Sequence, residues 1–169
     1  DLIVDEVYKF FPQAILHGGT GIWRIFNGNR FSEDLDFYLE KDDKSIDLFF
    51  ESLKNKNFLI IKRKVSDRSI YSELKYEKTF VRFEATFHEV KGVLCDYETS
   101  ERNIIKIYGL SAEDFLIEKT NTYLKRFKIR DLWDVLFLLH KIKNFNKVKN
   151  SISIFIKEYK KTIDESNLP

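Results

Sequence analysis

Two groups of residues near the start of the chain have the types and spacing of a site that handles phosphate and a metal. Gly18, Gly19 and Thr20 follow a short apolar run, and Asp34 and Asp36 come further along the chain. Glycines at a strand-to-helix turn let a ligand approach the backbone, and the free N–H groups of a helix start favour an anion. We therefore expect a phosphate at the glycines.

The two carboxylates fit a cation site. As a strand, residues 35–39 place their apolar side chains on one face, which leaves Asp34 and Asp36 on the other. Like charges at this spacing repel unless a cation lies between them, and Mg²⁺, or Mn²⁺ in its place, is the expected oxygen-loving ion. Taken singly, each motif also fits ordinary structure, as a plain glycine turn and a solvated strand edge.

A third carboxylate comes from a later predicted strand. Phe80, Arg82, Glu84 and Thr86 share one face of that strand by alternation. If the strand lies beside residues 34–39, Glu84 points at the same place as the two aspartates; otherwise Arg82 and Glu84 form a simple surface pair. Three convergent carboxylates can hold two metal ions, which stabilise the attacking and leaving oxygens of a displacement at phosphorus.

The elements that must position these residues follow from periodicity. Apolar spacing predicts helices over 2–11, 20–26 and 45–55, and strands over 14–16, 35–39, 58–64, 69–76, 79–90 and 104–108. From the N-cap residue Ser111 onward the spacing is helical. We expect an α/β (α+β) fold with a boundary near residue 109, which separates a core over 1–109 from a helical region over 110–169.

Composition excludes several classes of protein. The 29 basic and 27 acidic residues nearly cancel, so any surface for nucleic acid must be local. The single Cys95 cannot form an intramolecular disulfide, and no apolar run approaches the ~18 residues of a membrane span, so we expect a cytoplasmic protein without a membrane partner. His17, His88 and His140 are too scattered for a zinc site or a Ser/His/Asp set.

Two further groups favour structure over function. We expect the aromatic residues Phe80, Phe83, Phe87 and Trp133 in the core rather than as platforms for bases. The basic residues between 54 and 64 could form a strip for RNA, but most such strips are solvated faces.

The first group of residues resembles a known family. Gly18-Gly19-Thr20, Arg30, Ser32, Asp34 and Asp36 look like the signature of the polymerase-β-like nucleotidyltransferase superfamily. The longer run through Phe37 resembles the AbiEii/AbiGii-type toxin branch, which is related to the MenT toxins. This resemblance implies a nucleotidyltransferase fold, with a mixed β-sheet flanked by helices and a C-terminal helical bundle.

This sequence departs from the branch at two positions. Gly21 and Asn29 stand where the branch generally has Ala and His. Neither position is a metal ligand in the family scheme, so the departures are mild.

A second block of residues resembles the branch's other conserved motif. It contains Lys119 and, on the next predicted helix, Arg130, Asp131 and Asp134. Alone, the block would be interpreted as a ladder of surface ion pairs. Together with the first block, the resemblance implies that Lys119 contacts the nucleotide phosphates and that Asp131 completes the polar floor of the site. Arg130 and Asp134 could equally hold the helices in place.

The resemblance implies a Mg²⁺-dependent transfer of a nucleoside monophosphate from an NTP to an acceptor hydroxyl, with loss of pyrophosphate. Asp34 and Asp36 would bind the metal, and Glu84 would be the third ligand or the base. The implied nucleotide-binding residues are Gly18, Gly19, Thr20, Arg30, Ser32 and Lys119. For the toxin branch, the resemblance also implies tRNA as the acceptor and a cognate antitoxin as a partner.

Two alternatives stay open at this point. One is a small-molecule nucleotidyltransferase of the antibiotic-modifying type, and the other is a catalytically silent binding protein with the same fold. Intact Asp34, Asp36 and Glu84 speak against the silent protein, because simple binding does not need three carboxylates on converging strands.

Overall fold

The computed structural model describes residues 1–159, which form two compact units, Asp1–Gly109 and a second that begins at Leu110. The elements of the first unit are α1 (Leu2–Phe10), β1 (Ile15–His17), α2 (Gly18–Phe26), β2 (Leu35–Leu39), α3 (Asp43–Asn55), β3 (Leu59–Val65), β4 (Ser69–Tyr76), β5 (Thr79–Phe87), β6 (Val93–Glu98) and β7 (Ile104–Gly109). The second unit contains α4 (Ala112–Arg126), α5 (Ile129–Leu139) and α6 (Phe145–Glu158). Residues 160–169 of the predicted helical region lie outside the described residues.

The strands of the first unit form one mixed sheet in the order β3-β4-β5-β2-β1-β7-β6. β2 is parallel to β5 and β1 is parallel to β7, whereas the other neighbours are antiparallel. A parallel pair needs a long crossover, and the one from β2 to β5 contains α3 and the β3–β4 hairpin. The mixed sheet with its helices confirms the expected fold class.

Apolar side chains decide which face of the sheet carries the charges. Leu35, Phe37 and Leu39 of β2 are buried and belong to the same core as the apolar residues of α1 and α3. The ring of Phe49 in α3 lies 5.1 Å from that of Phe83 in β5. Fully burying one such side chain stabilises the fold by ~1.5–3 kcal/mol. The alternating acidic residues are therefore forced onto the opposite face.

Two elements differ from the sequence-based expectation. β6 was not predicted, although buried Cys95 and Tyr97 alternate with exposed Leu94 and Asp96. This strand lies at the edge of the sheet and pairs with β7 alone, and its apolar Val93 and Leu94 are exposed, so hydropathy does not follow burial along it. α2 begins at Gly18 directly after β1, so that the glycines lie in its first turn rather than in a separate turn.

The expected burial of the aromatic residues holds in part. Phe83 is fully buried, but Phe80 is 61% and Trp133 is 53% exposed, so for these two the core assignment was wrong. Phe80 begins the polar face of β5, where the Lys75 ammonium lies 5.2 Å from its ring. Trp133 stands on the exposed side of α5.

In the second unit, α4 packs against α5 and α6. The buried ring of Tyr123 lies 5.4 Å from that of Phe155, and the Ser111 hydroxyl caps α4 by accepting the Asp114 N–H at 3.2 Å. None of the helices in residues 1–159 is long and apolar enough to cross a membrane.

Candidate active site

The site begins where β1 passes straight into α2. His17 is extended, and Gly18 has a φ of 70°, in the left-handed region that glycine adopts without strain. A side chain at Gly18 would overlap the carboxylate of Asp36. The glycine therefore allows the N-terminus of α2 to lie directly against this aspartate.

The loop before β2 folds over the first turn of α2. A Cβ atom at Gly19 would lie 2.6 Å from Ser32 Oγ and 2.8 Å from an Nη atom of Arg30. The Thr20 hydroxyl is buried and donates to the main-chain oxygen of Asp34 at 2.5 Å. These contacts give Thr20, Arg30 and Ser32 a place beside the helix start; their contact with a nucleotide stays a prediction.

The acidic residues are brought together by the pairing of β2 with β5. The two strands are in register with Asp36 opposite Glu84, so the strand neighbourhood that the sequence left conditional is present. Asp34 lies immediately before β2. Whether the three carboxylates bind a metal stays a prediction.

Arg82 connects two of these carboxylates. Its guanidinium contacts Asp34 through one Nη atom, and its Nε lies 3.0 Å from Glu84 Oε1. The Arg82–Glu84 pair was considered from the sequence as a surface pair, but the contact with Asp34 was missed. Only the packing of β2 beside β5 reveals that contact.

Negative charge accumulates around Glu84. Partial burial and the Asp36 carboxylate raise the pKa of Glu84 above its usual range, although the neighbouring Arg82 opposes the shift. His17 lies opposite Asp36 on β1 and also opposes it. The open face of the sheet thus has a local excess of acidic groups that a cation would relieve.

The donor types fit a hard divalent cation, because Asp34, Asp36 and Glu84 offer only carboxylate oxygens. As the side chains stand, no three acidic, His or Cys residues among residues 1–159 are gathered tightly enough to hold a metal ion. Arg82 contacts one oxygen of Asp34 and one oxygen of Glu84, so it competes with a metal for these two carboxylates.

The second predicted block forms a buried ion-pair cluster within the helical unit. The Lys119 ammonium on α4 lies 2.8 Å from Asp134 and 3.7 Å from Asp131, both on α5. The Arg126 guanidinium donates two hydrogen bonds to the Asp131 carboxylate, at 2.5 and 2.7 Å. The two aspartates are 0% and 2% exposed, so they do not form a surface ladder. Arg130 is exposed.

This cluster holds α4 against α5, which is the role considered for Asp134. Arg126 belongs to the same block of the sequence but was assigned no role, because its contact with Asp131 depends on how the chain turns between α4 and α5. The predicted contact of Lys119 with phosphate, and the role of Asp131 in the site floor, stay predictions.

The chain matches one protein family over nearly its whole length. The family described as nucleotidyl transferase AbiEii toxin, type IV TA system, matches residues 2–168. No curated protein matches the chain.

Solved structures share the fold. JHP933 from Helicobacter pylori is 18% identical with a TM-score of 0.56, over 93% of this chain and 77% of that one. The antibiotic-resistance factor ANT(2'')-Ia is 10% identical with a TM-score of 0.59, over 94% and 91%. The Megavirus polyadenylate synthase is 14% identical with a TM-score of 0.53, over 85% and 32%. At such identities these likenesses show the fold alone.

Proposed function

The chain belongs to the nucleotidyl transferase AbiEii toxin family of type IV toxin–antitoxin systems, and from that premise we propose that it transfers a nucleoside monophosphate from an NTP to a hydroxyl group of tRNA. We propose Mg²⁺ as the cofactor and a cognate antitoxin as the partner. The observation that carries this proposal is the register of β2 on β5, which sets Glu84 opposite Asp36 beside the start of α2.

The N-terminus of α2 is the proposed phosphate site. Its first N–H groups, from Gly18, Gly19 and Thr20, have no partner within the helix, and the helix dipole adds positive potential there. Because Gly18 lies against Asp36, a phosphate bound at this turn is next to the acidic cluster. Arg30 and Ser32 are proposed to contact the same nucleotide.

Asp34, Asp36 and Glu84 are the proposed metal ligands. A metal bound there would neutralise phosphate charge and stabilise the oxygens that attack and leave. Arg82 would compete with that metal for Asp34 and Glu84, and its positive charge lies beside the proposed triphosphate site.

The proposed reaction is a displacement at the α-phosphorus of the NTP. The acceptor hydroxyl oxygen forms a bond to this phosphorus, and the bond from phosphorus to the bridging oxygen of the β-phosphate breaks, so that pyrophosphate leaves. The hydroxyl proton passes to Glu84 or to solvent. Most of the rate comes from positioning and charge neutralisation, because the protein forms no covalent bond to the substrate.

The two units are proposed to have separate tasks. We propose residues 1–109 as the nucleotidyltransferase core and residues 110–169 as a second region, whose described part, residues 110–159, is helical. Lys119 and Asp131 belong to the proposed catalytic set through the resemblance of their block to the family motif. Their described contacts support a structural task as well, which the Lys119 variant considered in the Discussion separates from phosphate binding.

The position of a radioactive label tests the reaction. The protein is incubated with Mg²⁺, total RNA and an NTP labelled on either the α- or the γ-phosphate. We expect the α-label in the tRNA fraction and the γ-label in pyrophosphate. Asp36→Asn and Glu84→Gln, which keep side-chain size, should lower the transfer at least about 100-fold. Glu51→Gln, on the exposed side of α3, is the matched control and should transfer normally.

The other outcomes separate the alternatives. Equal transfer by Asp36→Asn and the wild type would contradict the assigned site. When an antibiotic is added to the same incubation, label in the antibiotic and none in RNA would replace tRNA by a small-molecule acceptor. Binding of NTP with no transfer to either acceptor would support a catalytically silent protein.

A further inference from the structure

A cavity of about 690 Å³ lies at the carboxyl ends of β2 and β5. Its size is within the usual range of pockets for small organic ligands. The residues that matter for its chemistry are Tyr38, Lys41, His88, Lys91 and Tyr108. None of them belongs to the acidic cluster or to the start of α2.

The cavity adjoins the acidic cluster along the strands. Tyr38 follows Asp36 by two residues in β2, so both side chains are on the same face, about 7 Å apart along the strand. His88 comes just after β5, which carries Glu84 on that face. The cavity lining therefore begins two residues along β2 from Asp36, and His88 lies four residues along the chain from Glu84.

Aromatic rings line the way from the acidic cluster to the cavity. The ring of His17, which is opposite Asp36, stacks on Tyr38 with a centroid distance of 3.9 Å and an angle of 6°. The His88 ring meets Tyr38 edge-on at 5.9 Å and is exposed. Rows of aromatic and histidine rings are the surfaces on which unpaired bases stack.

The charges of the cavity favour a base over a polyphosphate. Lys41 and Lys91 line it, but Glu40 and Glu89 do as well, so the lining has no net formal charge. The Lys41 ammonium is also held by Asp67 at 3.0 Å. The lining therefore offers little net electrostatic attraction for a triphosphate. It does offer a nucleoside rings for stacking and groups for hydrogen bonding.

We propose that this cavity binds the terminal nucleoside of the single-stranded end of the acceptor RNA. The base stacks in the row formed by Tyr38 and His88, and a ribose hydroxyl extends toward Glu84. This inference rests on the proposed function, since it names the acceptor subsite of that same reaction. It assigns the NTP and the acceptor to different ends of β2.

Binding of RNA without NTP tests the subsite independently of the chemistry. The probe is a short single-stranded RNA with a fluorescent label on its 5′ end, and its Kd is measured by anisotropy. His88→Ala should raise the Kd about tenfold, in line with the cost of losing one base-stacking ring. His88→Phe restores a ring and should bind within about twofold of the wild type. Phe80→Ala, which removes an exposed ring of β5 outside the cavity, is the control and should bind normally.

Tyr38 supplies a second variant. Tyr38→Leu should weaken RNA binding while Tyr38→Phe retains it, and neither should change the Kd of an NTP measured by calorimetry. Unchanged RNA binding by both His88→Ala and Tyr38→Leu would overturn the subsite. Weaker binding of NTP instead of RNA would also overturn it, since the cavity would then belong to the nucleotide.

The two proposals fail in different ways. If the subsite is wrong but the function is right, label still enters tRNA in an Asp36-dependent manner, and the cavity variants have the KM for RNA of the wild type. If the proposed function is wrong, the wild-type protein itself transfers no label to RNA.

Discussion

Thr20 fastens the start of α2 to the loop that carries Asp34. Its buried hydroxyl lies 2.5 Å from the Asp34 main-chain oxygen and 3.3 Å from that of Ser32. A hydroxyl has one proton to donate, so the shorter contact is the principal hydrogen bond. Through this hydrogen bond, Thr20 fixes the position of the Asp34 main chain, and with it the position of the Asp34 side chain.

Removing the Thr20 hydroxyl should lower the free energy of unfolding more than removing the Thr20 methyl group does. Thr20→Val keeps the shape of the side chain but deletes the donor, and we expect unfolding free energy to fall by about 1–3 kcal/mol. Thr20→Ser keeps the donor and should lose about 0.8 kcal/mol for the missing methyl group. Urea denaturation measures both. Equal losses would assign the stability to methyl packing instead.

Arg82 is the residue that occupies the gap between the carboxylates. In Arg82→Ala, the groups Asp34, Asp36 and Glu84 lose their counter-charge, so we expect a less stable protein in EDTA and a larger rise in Tm on adding Mg²⁺. The excess rise should be about 2–4 °C for each kcal/mol of repulsion relieved. Differential scanning fluorimetry measures the shift.

A matched arginine controls for the loss of a positive charge. Arg68 is exposed in the turn between β3 and β4, away from the carboxylates. Arg68→Ala should respond to Mg²⁺ like the wild type. A Mg²⁺ response of Arg82→Ala no larger than that of Arg68→Ala would argue against a cation site between these carboxylates.

At the scale of elements, the contact between α4 and α5 depends on buried ion pairs between Lys119 and the aspartates Asp131 and Asp134. Lys119→Met leaves Asp134 buried without its ammonium partner, and we expect a loss of about 3–5 kcal/mol. Lys125→Met, at an exposed position of α4, should change stability by no more than about 0.5 kcal/mol. Chemical denaturation and NTP calorimetry on the same proteins separate the two roles. Normal stability with weaker NTP binding would favour the phosphate contact over the structural one.

The start of α6 depends on a carboxylate in α4. Glu113 accepts the N–H groups of Lys143 and Asn144, each at 2.8 Å. Burial alone would raise its pKa, but the N–H groups of Asn144 and Lys143 outweigh that effect and lower it below 4.5. A lowered pKa in the folded state means that ionised Glu113 stabilises the protein above the unfolded-state pKa. That stability is lost as the pH falls through the lower, folded-state value.

Glu113→Gln should therefore be pH-dependent in its effect. At pH 7 we expect it to lower the unfolding free energy by about 1–3 kcal/mol, because an uncharged oxygen is a weaker acceptor for the two N–H groups. The difference from the wild type should shrink as the pH falls below 4.5. Glu51→Gln is the exposed control. A difference that stays constant with pH would contradict the linkage.

Elements with a strong local pattern were predictable, and those defined by distant partners were not. β4 spans the predicted residues Ser69–Tyr76, because one face of it is buried and its side chains alternate. In β6 only Cys95 and Tyr97 are buried, whereas apolar Val93 and Leu94 are exposed, so hydropathy does not alternate along the strand. The abrupt start of α2 depends on the left-handed backbone of Gly18, which a spacing pattern does not encode.

The same reasoning applies to the site. Alternation placed Asp34 and Asp36 on one face, because that relation is local. The neighbourhood of Glu84 could only be stated as a condition, since pairing between distant strands is a property of the whole sheet. The burial of Asp131 and Asp134 was likewise missed, because a charged i, i+3 spacing looks the same on a surface and in a helix contact.

At the scale of the whole molecule, an edge strand of the sheet is a surface with which another copy can pair. β3 is an edge strand with Leu59 and Ile61 exposed, and its lysines Lys62 and Lys64 are exposed beside them. Charged residues on an edge oppose pairing with the edge of another sheet. We therefore expect these lysines to oppose edge-to-edge pairing of two copies at β3.

Removing the lysines should promote association. The double variant Lys62→Thr and Lys64→Thr is expected to form oligomers in light scattering, because threonine favours strands and carries no charge. Lys149→Thr with Lys157→Thr removes the same charge from exposed positions of α6 and should stay like the wild type. Similar association of the two double variants would attribute the effect to net charge rather than to the strand edge.

The crossover from β2 to β5 also fixes an order of events during synthesis. The chain leaves the ribosome N-terminus first, so the glycines, Asp34 and Asp36 emerge well before Glu84. β5 can lie beside β2 only after α3 and the β3–β4 hairpin have been made, since they form the connection. Each new molecule therefore passes through a period in which the proposed acidic cluster is incomplete. On the proposed mechanism, nucleotidyl transfer begins only after β5 has joined β2.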